Sequence, residues 1–241
     1  MADCYEAQVT KLTELTKSES RQPSRVKNAY ESLKGAILNG VFPLGYQGSE
    51  QEIAVRLSMS RTPVHEALIR LQEDGLVRVL AKRGVVVCAV SPDDMRDIYD
   101  VIRAFEPMAA ELLAAQPKAS RLPVADELDR LNAAMKKSLE RSDLVRWASL
   151  DDEFHRLLSE ACGNGRITRI ARTIMDQAHR ARMLTLSMRA KPTRSIVEHR
   201  AIIAAIRKGN VRDAHDCTHA HRTRARNELL PLLARFGIHH L

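Results

Sequence analysis

The chain has 241 residues and a formal net charge of +8, and 44% of its residues are hydrophobic although only 4% are aromatic. This length allows one or two domains, with a sizeable core of mainly aliphatic side chains and a charge that favours a polyanionic partner. No apolar run approaches the roughly 20 residues that span a membrane, and neither a signal-peptide pattern nor a Cys-x-x-Cys motif is present, so we expect a cytoplasmic protein with reduced thiols and no membrane partner.

The N-terminal stretch, residues 1–23, is polar and has little periodicity, which predicts a mobile tail. Ser24 is a suitable N-cap for the helix that follows, and Asn39-Gly40 is a suitable end for it. Between them, apolar residues recur at helical spacing and predict one buried face: Val26, Ala29, Tyr30, Leu33 and Ile37.

A helix-turn-helix pattern comes next. The run from Ser49 to Glu52 is a capping box that predicts a second helix, and Ser58-Met59 reads as a tight turn into a third. The third helix has polar side chains at its N-terminal tip and an apolar stripe behind them. Such a helix can enter a DNA major groove and meet base edges, although a surface helix with a polar start would show the same pattern.

Two β-rich segments, Leu76–Leu80 and Val85–Val90, follow this helix. Lys82-Arg83-Gly84 lies at the turn between them, so the hairpin tip carries two cations suited to phosphate. The sequence therefore predicts a winged helix-turn-helix domain over residues 24–90, with three helices and a β-hairpin wing.

A second domain, over residues 91–241, is predicted to be an all-α bundle of six helices. Ser91-Pro92 begins its first helix, with acidic residues in the first turn. We place the second helix at about 124–141 and the sixth at about 211–236. Ile167, Ile170 and Ile174 are predicted to point inward from the fourth.

Polar residues interrupt the apolar rows of three of these helices. Asp151 and His155 lie on the third helix, His199 on the fifth and His221 on the sixth, each predicted to face the interior. One carboxylate oxygen and three imidazole nitrogens suit a divalent transition metal. The same four side chains could instead form a hydrogen-bonded polar core, and spacing does not decide between the two.

The sixth helix also carries a second histidine pair, His215 and His219. It shares its face with three cations, so we predict a solvated surface there rather than a site: Arg212, Arg222 and Arg226. The dipeptide His215-Asp216 is found in phosphohydrolases, but it lies on that face and lacks partners.

The segment from Ser60 to Leu68, with Gly75-Leu76-Val77 and Gly84, resembles the DNA-binding domain of GntR-type transcription regulators. Ser58 stands where that family usually has Gly, and His65 where it often has Arg. The resemblance implies a double-stranded DNA operator as partner, contacted by Glu50, Gln51, Ser60, Arg61, Thr62, His65, Lys82, Arg83 and Gly84.

The second domain is similar to the FCD effector-binding domain of the FadR-type subfamily, in its six-helix, VanR-like form. The similarity rests on Asp151-x-x-Phe154-His155, Asn164, Glu198-His199 and His221. It implies a divalent ion (Zn, Ni or Mn) held by Asp151, His155, His199 and His221, and a homodimer formed by this domain. Ile102 stands where the family often has an Arg.

Together these patterns predict a transcription regulator whose homodimer binds a palindromic operator. We expect a repressor, although the patterns do not distinguish repression from activation. A small organic acid is the predicted effector, with Arg103 and Arg182 as its cationic contacts; 12 basic and 3 acidic residues lie between positions 180 and 226. Two alternatives remain: a metal-dependent hydrolase using the Asp/His site, and a metal-free regulator that responds to a ligand.

Overall fold

The computed structural model describes residues 25–81 and 83–235. The predicted N-terminal tail, Lys82 and the predicted end of the last helix at residue 236 lie outside the described residues. The chain divides after Ala89 into two compact units.

The first unit combines three helices with a small antiparallel sheet. Its elements are α1 (25–38), β1 (Gln47–Gly48), α2 (Glu50–Arg56), α3 (Arg61–Glu73), β2 (Val77–Leu80) and β3 (Gly84–Val87). The strands are ordered β1-β3-β2. The strand β1 was not predicted, because two residues are too few to show alternation. Its place is set by the outer edge of β3, where Gln47 pairs with Val86.

The core of the first unit explains why α3 presents its N-terminal tip outward. Val64, Ala67, Leu68 and Leu71 are fully buried along one face of α3. The turn before α3 depends on Ser58, which has a left-handed backbone with φ of 54°. The predicted winged helix-turn-helix is confirmed.

The second unit is all-helical within the described residues, which confirms the predicted fold class. Its helices are α4 (Pro92–Ala115), α5 (Lys118–Glu140), α6 (Leu144–Glu160), α7 (Gly165–Leu184), α8 (Thr193–Lys208) and α9 (Val211–Arg235), with a 3-10 turn at Leu186–Met188. Ser91 caps α4 in a reciprocal capping box with Asp94. No described helix is long and apolar enough to cross a bilayer.

Two predictions about these helices are wrong. The helix α5 begins at Lys118 and continues through Pro123 rather than starting after it. Proline favours the first turn of a helix, so the sequence indicated a start near Pro123, whereas Pro123 is the sixth helical residue. On α7, Ile170 is 46% exposed, and the inward row is Ile167, Ala171 and Met175. Ile167 is buried as predicted, and Ile174 is half-buried. Small alanines contribute little to a periodicity dominated by isoleucines, so the sequence placed Ile170 inward instead of Ala171.

Candidate functional site

The tip of α3 is an exposed set of polar groups on a helix held firmly from behind. Ser60, Arg61, Thr62 and His65 are all exposed, and the Arg61 side chain is 69% accessible. The tip therefore offers a guanidinium, hydroxyls and an imidazole without competing tertiary packing. These are the side-chain types that contact phosphates and base edges in a major groove.

Glu50, at the start of α2, lies beneath this tip and holds two of its side chains. Its Oε1 accepts a hydrogen bond from Nδ1 of His65 at 2.8 Å, and its Oε2 lies 3.6 Å from Nε of Arg61. The opposite edge of the His65 ring, with Nε2, remains available to another partner. Glu50 therefore orients Arg61 and His65, while its neighbour Gln51 is exposed.

The wing places Arg83 at the exposed turn between β2 and β3. Gly84 follows with φ of +85°, and a Cβ there would lie 2.4 Å from the carbonyl oxygen of Gly48. The amide of Gln47 donates to the carbonyl of Arg83 at 3.1 Å. Gly84 is thus required by the close approach of β1 to the wing. Lys82, predicted to share the phosphate contact, lies outside the described residues.

Three buried histidines from three helices meet inside the second unit. His155 of α6, His199 of α8 and His221 of α9 each offer a ring nitrogen, and these nitrogens lie within 4.8 Å of one another. Asp151 is close to the same group, because its Oδ1 lies 3.8 Å from Nε2 of His155 and 3.7 Å from Nε2 of His199. All four predicted metal ligands therefore lie in one region.

Two carboxylates set the orientation of the outer imidazoles. Glu106 of α4 lies 2.5 Å from Nδ1 of His155, and Glu198 of α8 lies 2.8 Å from Nδ1 of His221. Both rings consequently turn Nε2 inward, and the two Nε2 atoms are 3.3 Å apart. Metal-bound histidines are commonly held this way, by a carboxylate on the other ring nitrogen.

The charges around these carboxylates keep them ionised. Burial by itself raises the pKa of Glu106, but Arg222 and His155 outweigh it and hold that pKa at about 2. The pKa of Glu198 is also about 2, because hydrogen bonds from His221 and Arg224 outweigh its partial burial. Both carboxylates can therefore accept a hydrogen bond from the protonated Nδ1 of their histidine at neutral pH.

The histidine cluster fits a metal ion better than a hydrogen-bonded core. Both ring nitrogens of His199 are buried without a hydrogen-bond partner among the described residues. Two nitrogens bound to one tetrahedral ion at about 2.0–2.1 Å would lie about 3.3 Å apart, which is the observed Nε2–Nε2 separation for His155 and His221.

The protonation state of the histidines also favours a metal ion. Burial lowers the pKa of His221 to about 4, and burial with the neighbouring histidines lowers the pKa of His199 well below its usual value. Both rings are therefore neutral at pH 7, as metal ligands must be.

The two predicted effector cations differ in position. Arg182 is buried, and its Nη1 lies 3.1 Å from Oδ2 of Asp151. Burial opposes the charge of Arg182, but Asp151 outweighs it and raises the pKa of Arg182. Arg103 is partly exposed; its Nε donates to Oγ1 of Thr223 and its Nη1 to Asp100. Arg182 is the cation that directly adjoins the predicted ligand set.

Sequence reasoning misplaced Arg222 and assigned no part in the site to Glu106. Arg222 was predicted on a solvated face but is 1% exposed, and its Nε donates to Glu106. A cation on one helix cannot be recognised as buried until its carboxylate partner on another helix is known. Glu106 carried a weak signal, since it lies four residues after Ile102 on the buried face of α4.

The second histidine pair on α9, His215 and His219, lies outside this cluster. The rings of His215 and His219 stack in parallel with centroids 6.2 Å apart, and Nδ1 of His215 contacts Asp216. His215 is partly exposed and its neighbour Asp216 more so. This pair has no buried ligand set of the kind found at His155, His199 and His221.

Comparison with known proteins follows the same division of the chain. The family model described as bacterial regulatory proteins, gntR family, matches residues 25–87, and the FCD domain model matches residues 97–224. A solved structure of a GntR transcriptional regulator from Rhodococcus sp. RHA1 is similar with a TM-score of 0.71. It is 24% identical and covers 86% of this chain and 98% of that one, so it supports the fold alone.

Two relatives align with this chain over most of their own lengths. An uncharacterized HTH-type transcriptional regulator in the TAR-I ttuE-ttuC' intergenic region of Agrobacterium vitis is 48% identical over 147 residues, which is 61% of this chain and 86% of that protein. The gluconate operon transcriptional repressor of Bacillus subtilis is 29% identical over 193 residues, covering 78% of this chain and 77% of that protein.

Proposed function

We propose that this chain, which belongs to the gntR family of bacterial regulatory proteins and carries an FCD domain, is a repressor that releases its operator when a small organic acid binds. Members of this family are DNA-binding transcriptional regulators and not enzymes, which sets aside the metal-dependent hydrolase. The exposed tip of α3 and the basic wing supply the DNA-binding surface, and the all-helical unit supplies the sensor.

The observation that carries the sensor proposal is the cluster of His155, His199 and His221. Its inner nitrogens converge, and neither ring nitrogen of His199 has a hydrogen-bond partner within residues 25–81 and 83–235. These residues and Asp151 would hold one divalent ion, with Zn, Ni and Mn as candidates. The ion would supply a Lewis-acidic place for a carboxylate oxygen of the effector.

The residues of the chain itself favour an anionic ligand. Arg182 is buried beside Asp151 and offers positive charge at the edge of the site. Arg103 is the second proposed contact for the anion; its guanidinium also contacts Thr223, Asp100 and His219. The Bacillus subtilis relative is a repressor of a gluconate operon by name, which supports the same class of regulator and ligand for this chain.

A homodimer is part of the proposal. One winged helix contacts only a few base pairs, which is too little for useful specificity, so two copies are expected to bind a two-fold symmetric site. The FCD unit is the proposed source of this pairing. Light scattering of the full chain at micromolar concentration should give twice the monomer mass, and a monomer that still binds operator would contradict it.

The test of the regulatory proposal uses DNA from the neighbourhood of the chain's own gene. Fluorescence anisotropy should give sequence-selective binding at physiological salt, measured against a scrambled duplex. Gluconate and other organic acids are then titrated into the complex, with metal-loaded protein and with chelated protein. We expect release of DNA only when metal and acid are both present.

Thermodynamic reciprocity supplies an internal check on this experiment. If acid weakens operator binding by some factor, operator must weaken acid binding by the same factor. Release of DNA by neutral apolar compounds, with no response to metal, would reject the proposed ligand class. Acid-dependent release from protein without bound metal would support the metal-free regulator instead.

A further inference from the structure

A group of N–H donors without acceptors lies beside the histidine cluster. They are Nε1 of Trp147, Nη1 of Arg182, and Nε and Nη2 of Arg189, and none has a hydrogen-bond partner among the described residues. All four atoms are buried, and all of them can only donate. Buried donors require acceptors, so this region is suited to an acceptor that the described residues do not provide.

These donors share one part of the bundle. The guanidinium carbon of Arg189 lies 4.8 Å from the centre of the Trp147 ring. Trp147 is four residues before Asp151 on α6, so it lies on the same helix face one turn away. Nη1 of Arg182 lies 3.1 Å from Oδ2 of Asp151, without the alignment of a hydrogen bond. The donors therefore adjoin the predicted metal ligands.

The charge balance of this region is positive. Asp151 is the carboxylate nearest to Arg182, and no ion pair to Arg189 is found in residues 25–81 and 83–235. Burial, reinforced by the charge of Arg182, lowers the pKa of Arg189. A largely buried guanidinium remains charged in proteins and is costly without a counter-ion.

We propose that Arg189, with the indole N–H of Trp147 and with Arg182, binds a second carboxylate of the effector, which makes the effector a dicarboxylic acid. This inference rests on the proposed function, in which a first carboxylate is taken up at the histidine cluster. The flat fork of Arg189 matches two carboxylate oxygens, and the Trp147 ring beneath it holds the fork in place.

The spacing limits the length of the diacid. Trp147 and Asp151 are four residues apart, about 6 Å along α6 at the helical rise per residue. The two carboxylates of a diacid with a backbone of about four or five carbons are separated by a comparable distance, whereas a monocarboxylic acid would leave the buried Arg189 without a counter-ion. Arg189 and Trp147 therefore act as specificity-determining residues, separate from the residues that would hold the metal.

The experiment compares each diacid with its half-amide, which has the same length but one carboxylate fewer. Succinate, malate and glutarate are titrated calorimetrically into full-length, metal-loaded protein beside their half-amides. The wild type should bind its preferred diacid about ten- to a hundredfold more tightly than the half-amide, as expected for a charge-assisted contact. Arg189→Gln should lose that preference and leave half-amide affinity nearly unchanged.

Two further variants make the assignment specific. Trp147→Phe keeps an aromatic face but removes the indole N–H, so it should reduce the diacid preference without abolishing it. Arg172→Gln is the matched control, since Arg172 is an exposed α7 arginine paired with Glu160, and it should bind both ligands like wild type. Thermal unfolding without ligand checks that each variant is folded. If Arg189→Gln does not fold, the diacid preference of Trp147→Phe tests the second carboxylate site.

The outcomes separate this inference from the proposed function. If diacids and half-amides bind wild type equally, or if Arg189→Gln weakens both equally, the second carboxylate site is refuted, while operator release by monocarboxylates would leave the proposed function intact. If no acid of either kind binds the metal-loaded protein, both fail. A preference that is lost in Arg189→Gln, reduced in Trp147→Phe and kept in Arg172→Gln supports the inference.

Discussion

His199→Leu gives the sharpest test of the metal centre. The substitution should not lower the stability of the metal-free protein, but it should lower the stability of the metal-loaded protein. In protein without metal, both ring nitrogens of His199 are buried and lack a hydrogen-bond partner in the part of the chain that the structure describes, and each such group costs about 1–3 kcal/mol. Leucine has a comparable volume and no polar atoms to satisfy. The variant should therefore be at least as stable as metal-free wild type.

With metal bound, wild type should be more stable than His199→Leu. An ion that binds only the folded protein at about 100 times its Kd adds about 2.7 kcal/mol to the free energy of unfolding. For a protein of this size, about 1 kcal/mol corresponds to about 2–4 °C, so wild type should gain about 5–11 °C in Tm. His199→Leu removes one of three converging nitrogens and should lose most of that gain.

The assay is differential scanning calorimetry of the full chain after chelation and after addition of Zn, Ni or Mn in turn. His215→Leu is the control, because His215 lies outside the cluster and contacts Asp216; it should respond to metal like wild type. The reasoning is refuted if His199→Leu keeps the full metal-dependent rise in Tm. Wild type without any rise, and without stoichiometric metal by elemental analysis, would refute it as well.

Three other substitutions test the remaining parts of the structure. Arg61→Ala should weaken operator binding about ten- to a hundredfold, since a bidentate arginine contact discriminates by about 1–3 kcal/mol; anisotropy that matches wild type would exclude Arg61 as a contact. Glu106→Gln should lower the free energy of unfolding by about 3–5 kcal/mol in urea titrations, because it leaves the buried Arg222 charge uncompensated; a smaller loss than for an exposed acid would be inconsistent with that pair. Ser58→Gly should raise stability by about 1 kcal/mol, because φ of 54° disfavours a side chain; an unchanged or lower Tm would argue against strain in the turn.

The sequence by itself determined the elements that depend on local physics. Helical spacing predicted the buried face of α3, and the capping residues at Ser91 predicted the start of α4. The same spacing predicted that Asp151, His155, His199 and His221 face the interior, because the direction of a side chain on a helix follows from its position in the repeat. The winged-helix motif is contiguous in the chain, so it was visible without any tertiary contact.

Tertiary structure decided everything that depends on which helices are neighbours. Glu106 and Arg222 are 116 residues apart along the chain, yet they form one buried pair that orients His155. The unpaired donors of Trp147 and Arg189 became apparent only once their surroundings were packed. Residue periodicity says that a side chain is buried but not what it meets there, since burial is a property of one helix and pairing is a property of two.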